Sequence, residues 1–243
     1  MLALSLVMLG LRSKGSTEFK VSGNAIAVQL TQLLAGTKAH FNSDRKGRPG
    51  CYLLIGAADP ARRFEFSLPD RVKDLGFAGQ IIYRIRDINL STIKVVADER
   101  AFTLIASFES EGVELKGSHS RLGDAAVPDI ELNNMQLRIK LIPVATAGGS
   151  ISYESPEVSF SADVDNTFVP RFRLLGKTID IMDTLTNYRN QLCRSVQAQI
   201  QHALNESSRK EALARQVALA IGPGSSRVET LRWEGTDLIV VLR

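Results

Sequence analysis

The sequence predicts an α+β protein in which a highly curved antiparallel sheet wraps around one or two long helices. Between about residues 51 and 165 apolar and polar residues alternate, which is typical of strands with one apolar and one solvated face. After Pro170 apolar residues recur at spacings of three, four or seven, which is typical of amphipathic helices. Because the apolar face of a sheet needs a cover, we expect the late helix to lie against it.

Composition and charge exclude several classes of protein. The chain has 243 residues, of which 44% are hydrophobic, so a sizeable core can form without metal or disulfide staples. The formal net charge is a mild +4, and aromatic residues make up only 6%. Since no basic cluster is interleaved with aromatic residues, we predict no nucleic-acid partner. Contact between basic loops and anionic lipid headgroups fits the charge pattern better, and a membrane surface is therefore a candidate partner.

The two cysteines, Cys51 and Cys193, lie far apart and form no zinc-binding motif. We therefore expect no metal site and no cofactor. A single long-range disulfide, which would need an oxidising compartment, and two buried free thiols both remain open.

The chain divides into an apolar N-terminal segment at residues 1–19 and a single domain at residues 20–243. The mostly apolar run from Leu2 to Leu11 would span about 15 Å as a helix, which is too short to cross a bilayer. Its length suits the apolar part of an export signal, so we expect a truncated signal or anchor and a periplasmic, secreted or membrane-anchored protein. The alternative is an N-terminal segment of the core.

The first predicted helix covers residues 24–36. Asn24 can cap its start, apolar residues share one face, and Gly36 can end it. The following stretch at 41–50 is polar and contains Gly and Pro, so we expect a loop there.

Alternating segments then predict a series of strands. The apolar residues of five of them are Phe64, Phe66 and Leu68; Ile81, Tyr83 and Ile85; Phe102, Leu104, Ala106 and Phe108; Met135, Leu137, Ile139 and Leu141; and Val158, Phe160, Ala162 and Val164. Between residues 83 and 95 the apolar positions change from odd to even and back. This change predicts one long bent strand or two strands meeting at a bulge, and hence strong curvature.

The C-terminal part predicts two helices and a strand pair. Helical spacing runs from Ile179 to Leu204, and a second helix follows Ser208 and ends at the Gly-Pro-Gly sequence at 222–224. Short strands are predicted at 228–233 and 237–243.

Catalytic signatures are missing from the sequence. The stretch "GLRSKGST" at 10–17 lacks the lysine of a phosphate-binding loop, and no nucleophile elbow, zinc-protease or dinucleotide motif occurs. The three histidines, His40, His119 and His202, are interpreted as surface or partly packed residues. We therefore predict a protein that is not an enzyme.

The order of elements resembles one known superfamily. A helix near the start, a run of amphipathic strands at 76–115 and beyond, and a long helix at 176–221 with many Gln, Asn and Ser residues are similar to the tubular lipid-binding (TULIP) superfamily, which includes bactericidal/permeability-increasing-protein-like domains. The resemblance implies a curved sheet wrapped around a long helix, with lipid held in the seam between them. The chain departs from the family in having one such unit instead of the frequent pair, and Cys51 lies far from the expected position of a disulfide partner.

These observations predict non-catalytic binding or transfer of a lipid or other hydrophobic small molecule in an apolar groove between sheet and helix. Each candidate lining residue is also compatible with an ordinary core. The candidates are Ile81, Tyr83, Ile85, Phe102, Leu104, Phe108, Met135, Leu137, Ile139, Met182, Leu185, Leu192 and Val196. The alternative prediction is a ligand-free structural or assembly module of a cell envelope.

Overall fold

The protein combines three helices with mostly antiparallel sheets in the part of the chain described here. The computed structural model describes residues 11–13, 16–35, 37–45, 48–56, 63–68, 71–85, 88–108, 113–164, 171–224 and 226–243. Within these residues every strand pair is antiparallel. The predicted mixture of helices and antiparallel sheet is therefore confirmed.

The helices and strands appear largely where the periodicity predicts them. The helices are α1 (Gly23–Leu33), α2 (Met182–Asn205) and α3 (Ser207–Ile221). The strands are β1 (Leu11–Ser13), β2 (Ser16–Ser22), β3 (Lys38–Arg45), β4 (Arg48–Gly56), β5 (Arg63–Leu68), β6 (Arg71–Asp74), β7 (Gln80–Ile85), β8 (Ile88–Asp98), β9 (Ala101–Phe108), β10 (Val113–His119), β11 (Ile130–Leu141), β12 (Pro143–Ala145), β13 (Ile151–Tyr153), β14 (Glu157–Val164), β15 (Arg171–Leu174), β16 (Lys177–Asp180), β17 (Val228–Glu234) and β18 (Asp237–Leu242). Among the described helices, none is both long enough and apolar enough to cross a membrane.

The central sheet branches at β11. One edge of β11 pairs first with β10 and then with β9, and its other edge pairs with β14. From β9 the sheet continues through β8, β3 and β4 to β5, and from β10 it continues through β7 to β6. The sheet therefore has three terminal strands, namely β5, β6 and β14.

The predicted break in the long strand is confirmed. β7 and β8 are separate strands, and the pairing of β8 with β9 shifts register between Leu90 and Thr92. Such a shift bends a strand and increases its twist.

The N- and C-terminal strands form a second sheet in the order β1-β2-β18-β17. Residues 11–13 and 16–19 of the apolar N-terminal segment belong to this sheet, whereas residues 1–10 lie outside the described part of the chain. Two hairpins, β12–β13 and β15–β16, complete the described strands.

Three local predictions are wrong. Most of the stretch at 41–50 is strand and not loop, because β3 up to Arg45 pairs with β4 from Arg48; residues 46–47 lie outside the described part of the chain. Backbone pairing with neighbouring strands compensates for a composition that is unfavourable for strands. Ile179 does not begin the long helix but lies in β16, opposite Phe172. At the first helix, Ser22 occupies the capping position instead of Asn24 and makes no side-chain hydrogen bond there.

The long helix begins at Met182, whose N–H donates to Asp180 Oδ1 at 3.0 Å. A carboxylate in this position satisfies one of the free N–H groups at a helix start. Hydrogen bonding at the end of β16, and not the apolar spacing, therefore marks where the helix begins.

Buried apolar side chains form two clusters. The larger cluster joins α2 to β7, β9, β10, β11 and β14, and the smaller one joins α1 and α3 to the terminal sheet. The larger cluster, with α2 on one face of the central sheet, is where the sequence predicts a binding groove.

Candidate functional site

Helix α2 runs alongside the terminal strand β14 in the antiparallel direction. Cys193 lies beside Ala162, and eight residues further along the helix Gln201 Oε1 accepts a hydrogen bond from Val158 N at 3.2 Å. Eight helical residues span about 12 Å and four strand residues about 13 Å, so the two axes are nearly aligned. The same helix also packs against β5 and β6.

The structure brings most of the predicted lining residues together. Nine of the thirteen are buried members of the larger cluster, and Leu104 packs against it while half-buried. The nine are Ile81, Tyr83, Phe108, Met135, Leu137, Ile139, Leu185, Leu192 and Val196. Ile139 is the most exposed of them at 8%, so all nine are covered by other protein atoms.

The remaining three predicted residues lie elsewhere. Phe102 belongs to the smaller cluster, where its ring lies 5.1 Å from that of Trp233. Met182 is half-buried at the start of α2, and the side chain of Ile85 lies outside the described part of the chain. Phe102 therefore faces the terminal sheet, away from the groove in which it was expected.

Small side chains lie between the large ones in this interior. Ala106, Ala162 and Ala203 are buried in the cluster, and the rings of Phe108 and Phe160 pack edge to face at 6.2 Å. Because the interior is close-packed, replacing one of these alanines with a larger residue would need extra space or would strain its neighbours.

Two of the buried tyrosines in the described interior, Tyr83 and Tyr153, donate hydrogen bonds to backbone carbonyl oxygens, Tyr83 to that of Pro128 at 3.4 Å. The Tyr153 hydroxyl donates to the carbonyl oxygen of Leu204 at 2.9 Å, which ties β13 to the last turn of α2. Burial raises the pKa of Tyr153. The pKa of Tyr83 is also raised, first by burial and then by the negative charge of Asp129. Both side chains are therefore kept neutral over the ordinary range of pH.

Cys193 carries a free thiol, so it forms no disulfide with Cys51. Burial raises the pKa of this thiol, with the Arg189 guanidinium acting in the opposite direction. The thiol packs against the larger cluster as a small apolar group.

His119 is buried, contrary to the prediction of a surface or partly packed residue. It is 2% exposed, and its Nδ1 accepts hydrogen bonds from the N–H groups of Arg121 and Leu122, both at 3.2 Å. These bonds close the turn that follows β10. A Cβ on Gly79 would lie 3.0 Å from His119 Cε1, so the missing side chain of the glycine makes room for the ring. His119 therefore holds the turn after β10 through its Nδ1.

A cleft that sequence reasoning missed lies beside α3. It has a volume of about 710 Å³, within the range of small-molecule sites. We call it the α3 cleft; its walls are one face of α3, the turn between β12 and β13, and the segment that leads into β17. The lining residues are Thr146, Gly148, Gly149, Ser150, Ile151, Ser152, Ser207, Lys210, Glu211, Ala214, Arg215, Ala218, Pro223, Gly224, Ser226, Arg227 and Val228.

The α3 cleft has an apolar floor and a basic rim. Ile151, Ala214 and Val228 are buried, whereas Arg215 and Arg227 are exposed. These residues come from three segments that are distant in sequence, so no local motif reveals them. The Gly148–Gly149 pair was the available signal, but by itself it indicates only a turn.

Two further clefts are of similar size. One, of about 570 Å³, contains the Lys116–Asp129 ion pair together with Arg173, and the other, of about 550 Å³, lies on the polar outer side of α2. In the described residues no group of three or more His, Cys, Asp or Glu side chains is placed to hold a metal ion.

No protein-family model, curated protein or solved structure matches this chain.

Proposed function

We propose that the protein binds or transfers a lipid or other hydrophobic molecule between the central sheet and α2, without catalysis. The observation that carries the proposal is the position of α2, which packs against all three terminal strands of the central sheet.

Because the central sheet is wide, the contact of α2 with both β14 and β5 indicates the shape of the sheet. From β14 to β5 the path crosses six strand spacings, which would separate these strands by about 29 Å in a flat sheet. Over the stretch from Cys193 to Gln201, α2 follows β14, so there it extends across the strands by about its diameter of 10 Å. Packing of one helix against both β14 and β5 therefore supports a sheet that curves around it, as the resemblance implies.

The interior composition supports an apolar ligand. Its side chains are apolar apart from tyrosine, and four buried alanines (Ala106, Ala162, Ala203 and Ala214) leave it thinner than a leucine-filled core. Half-buried Leu90, Ile93 and Leu104 pack at its margin, where an acyl chain would enter. Burial of a ligand's apolar surface contributes roughly 25 cal/mol per Å² before the cost of association.

A membrane surface is the proposed source of the ligand. Three turns present large exposed apolar side chains: Phe77 is 87% exposed, Leu122 is 48% exposed and Leu175 is 64% exposed. Apolar residues at the tips of turns are suited to insertion between lipid headgroups.

Hydrogen bonds link the elements that carry these turns. Ser120 N donates to the carbonyl oxygen of Gln80 at 2.9 Å, and Lys73 Nζ donates to the carbonyl oxygen of Asp180. The segments 71–80, 116–129 and 171–180 contain seven Lys and Arg residues and four Asp residues, a net charge of +3. That excess favours an anionic lipid surface.

One observation favours the alternative of a ligand-free structural module. The nine clustered lining residues are at most 8% exposed, as in a core that is already filled by protein. The two functions differ in how the interior responds to added volume.

The deciding experiment combines native mass spectrometry with two substitutions. The wild-type protein from its own source and two variants are released into the gas phase and examined for bound lipid. The variants are Ala162→Leu, in the interior, and Ala198→Leu, on the exposed side of α2. A carrier yields lipid with the wild type and the Ala198 variant, and less or none with the Ala162 variant, while unfolding free energies change by less than about 1 kcal/mol. Absence of lipid from the wild type, with Ala162→Leu destabilised by about 1–3 kcal/mol, would favour the structural module and refute the carrier.

The membrane surface is tested separately by flotation with phosphatidylglycerol vesicles. Phe77→Ser should reduce vesicle binding, whereas Leu219→Ser, which removes a 71% exposed leucine from α3, should not. Equal binding by wild type and Phe77→Ser would exclude this surface.

A further inference from the structure

We infer that the α3 cleft is an anion site that binds the phosphate group of an amphiphile or of a free phosphate ester. The site opens beside α3, where Ala214 also belongs to the larger cluster, and the inference does not depend on lipid binding beneath α2.

The charges around the α3 cleft are unbalanced. Its rim carries Lys210, Arg215 and Arg227 against a single acid, Glu211. Among the described residues none of these four side chains forms an ion pair. Like charges that share one cavity repel each other, and an incoming anion removes that repulsion.

Two cations outside the cleft do form ion pairs. Arg209, on the same helix, pairs with Glu206 at 3.2 Å, and Arg232 pairs with Glu18 at 2.6 Å. The three cations of the cleft differ from Arg209 and Arg232 in having no carboxylate partner among the described residues.

The rim is held in place before any ligand arrives. Gly149 O accepts a hydrogen bond from Val228 N at 2.8 Å, which fixes the turn against the backbone that carries Arg227. Within the turn, the hydroxyls of Thr146 and Ser150 lie 2.8 Å apart. A preformed site loses little conformational freedom on binding, so more of the interaction free energy appears as affinity.

Lys210 is positioned by an aromatic ring. Its ammonium lies 5.5 Å from the ring centroid of Tyr153, which is itself anchored to α2. The cation therefore remains at the rim, where it faces the cleft.

The chemistry of the lining points to phosphate. A guanidinium presents parallel N–H groups that match two phosphate oxygens, and two guanidinia with one ammonium suit a group of one or two negative charges. The hydroxyls of Ser152, Ser207 and Ser226 add neutral donors. The floor of Ile151, Ala214 and Val228 accommodates an apolar portion next to the phosphate, such as the start of an acyl chain.

The probes are inorganic phosphate, glycerol 3-phosphate and dihexanoyl-phosphatidylglycerol below its micelle concentration, each titrated calorimetrically into the full chain. We expect binding that weakens with added salt. If the two lipid-free probes bind as well as the short-chain lipid, the natural ligand is a free phosphate ester. If the short-chain lipid binds at least about tenfold more tightly, which is about 1.4 kcal/mol, the ligand is a lipid headgroup.

Three matched substitutions, each removing one positive charge, test the site. Arg215→Gln and Arg227→Gln should each weaken binding of the best probe by about tenfold, since each removes a charge-assisted pair. Arg209→Gln, outside the cleft, should change affinity by less than twofold. No binding of any probe to the wild type, unchanged affinity in both cleft variants, or an equal loss in Arg209→Gln would overturn the inference. Lipid recovered by native mass spectrometry should be unchanged in Arg215→Gln, so failure here leaves the proposed function standing.

Discussion

The turn that forms one wall of the α3 cleft packs closely against Arg227, and this contact can be tested by substitution at Gly149. Gly149 has a φ of +78°, and a Cβ built on it would lie 2.9 Å from Arg227 Cβ, 3.1 Å from Arg227 Cγ and 3.4 Å from Arg227 Cα. The Gly149–Val228 hydrogen bond of 2.8 Å prevents the two segments from moving apart. Gly149→Ala therefore meets both an unfavourable backbone conformation and a steric clash.

The expected cost follows from these two terms. A left-handed conformation costs a non-glycine residue about 1–2 kcal/mol, and an overpacked site costs about 1–3 kcal/mol. Reduced freedom of the unfolded chain offsets about 0.4–1 kcal/mol. Gly149→Ala should thus lower the free energy of unfolding by about 1–4.5 kcal/mol, with a central value of about 3 kcal/mol.

The adjacent glycine is the matched control. A Cβ on Gly148 would meet only Thr146 Oγ1, at 3.8 Å, and its φ is outside the left-handed region. Gly148→Ala should be neutral or stabilising by up to about 1 kcal/mol.

The assay is urea unfolding followed by circular dichroism. With a slope of about 3 kcal/mol per M, Gly149→Ala should move the midpoint down by about 1 M while Gly148→Ala leaves it in place or raises it. A Gly149→Ala midpoint within about 0.2 M of wild type, or an equal loss in Gly148→Ala, would show that the turn does not pack on Arg227 as described.

Three further predictions concern single side chains. Leu175→Asn should stabilise the protein by about 1 kcal/mol in urea unfolding, since Leu175 is exposed at a φ of +50° that asparagine tolerates better; a destabilised variant would contradict this. Above pH 10 the unfolded chain loses the Tyr83 proton before the folded protein does, because burial raises the folded pKa, so wild-type stability falls by up to about 1.4 kcal/mol per pH unit for this group. Tyr83→Phe should therefore make the loss of unfolding free energy between pH 10 and 11 shallower, and an identical slope would rule out the effect. Tyr153→Phe should cost about 1 kcal/mol and speed amide hydrogen exchange in the last turn of α2, because the bond to Leu204 O is lost; unchanged exchange there would count against that tether.

Local periodicity was sufficient to predict most elements of the fold. The strand at Met135–Leu141 alternates strictly, the one at Phe102–Phe108 alternates except at Ile105, and α2 and α3 keep apolar residues at helical spacing. Since side-chain direction repeats every two residues in a strand and every 3.6 in a helix, these patterns need no knowledge of distant residues.

Predictions failed where distant segments decide the structure. The polar stretch at 41–50 lies at the end of a hairpin in which β3 pairs with β4, and the remaining residues of these two strands are held by β8 and β5 from elsewhere in the sequence. Ile179 has helical spacing, but it pairs with Phe172 in a hairpin whose turn at Leu175 and Gly176 has positive φ angles.

In the candidate sites, too, local periodicity predicts part of the arrangement and contacts between distant segments decide the rest. Alternation placed residues such as Phe108 and Leu137 on one face, and the helical stripe of α2 explains why they form one cluster. Phe102 and Phe108 are both at even positions of β9 and so lie on the same face of the sheet, yet Phe102 belongs to the smaller cluster. Alternation predicts which face a side chain lies on, but it does not predict which helix or sheet covers that part of the face.

The sequence by itself determined most of the segments that are strands or helices and which side of each is apolar, because those properties arise between near neighbours. Only the tertiary structure decided that α2 lies beside three terminal strands, that His119 is enclosed, and that Lys210, Arg215 and Arg227 share a cleft. Each of these results depends on the packing of residues distant along the chain, and contacts of that kind leave no fixed spacing in a sequence.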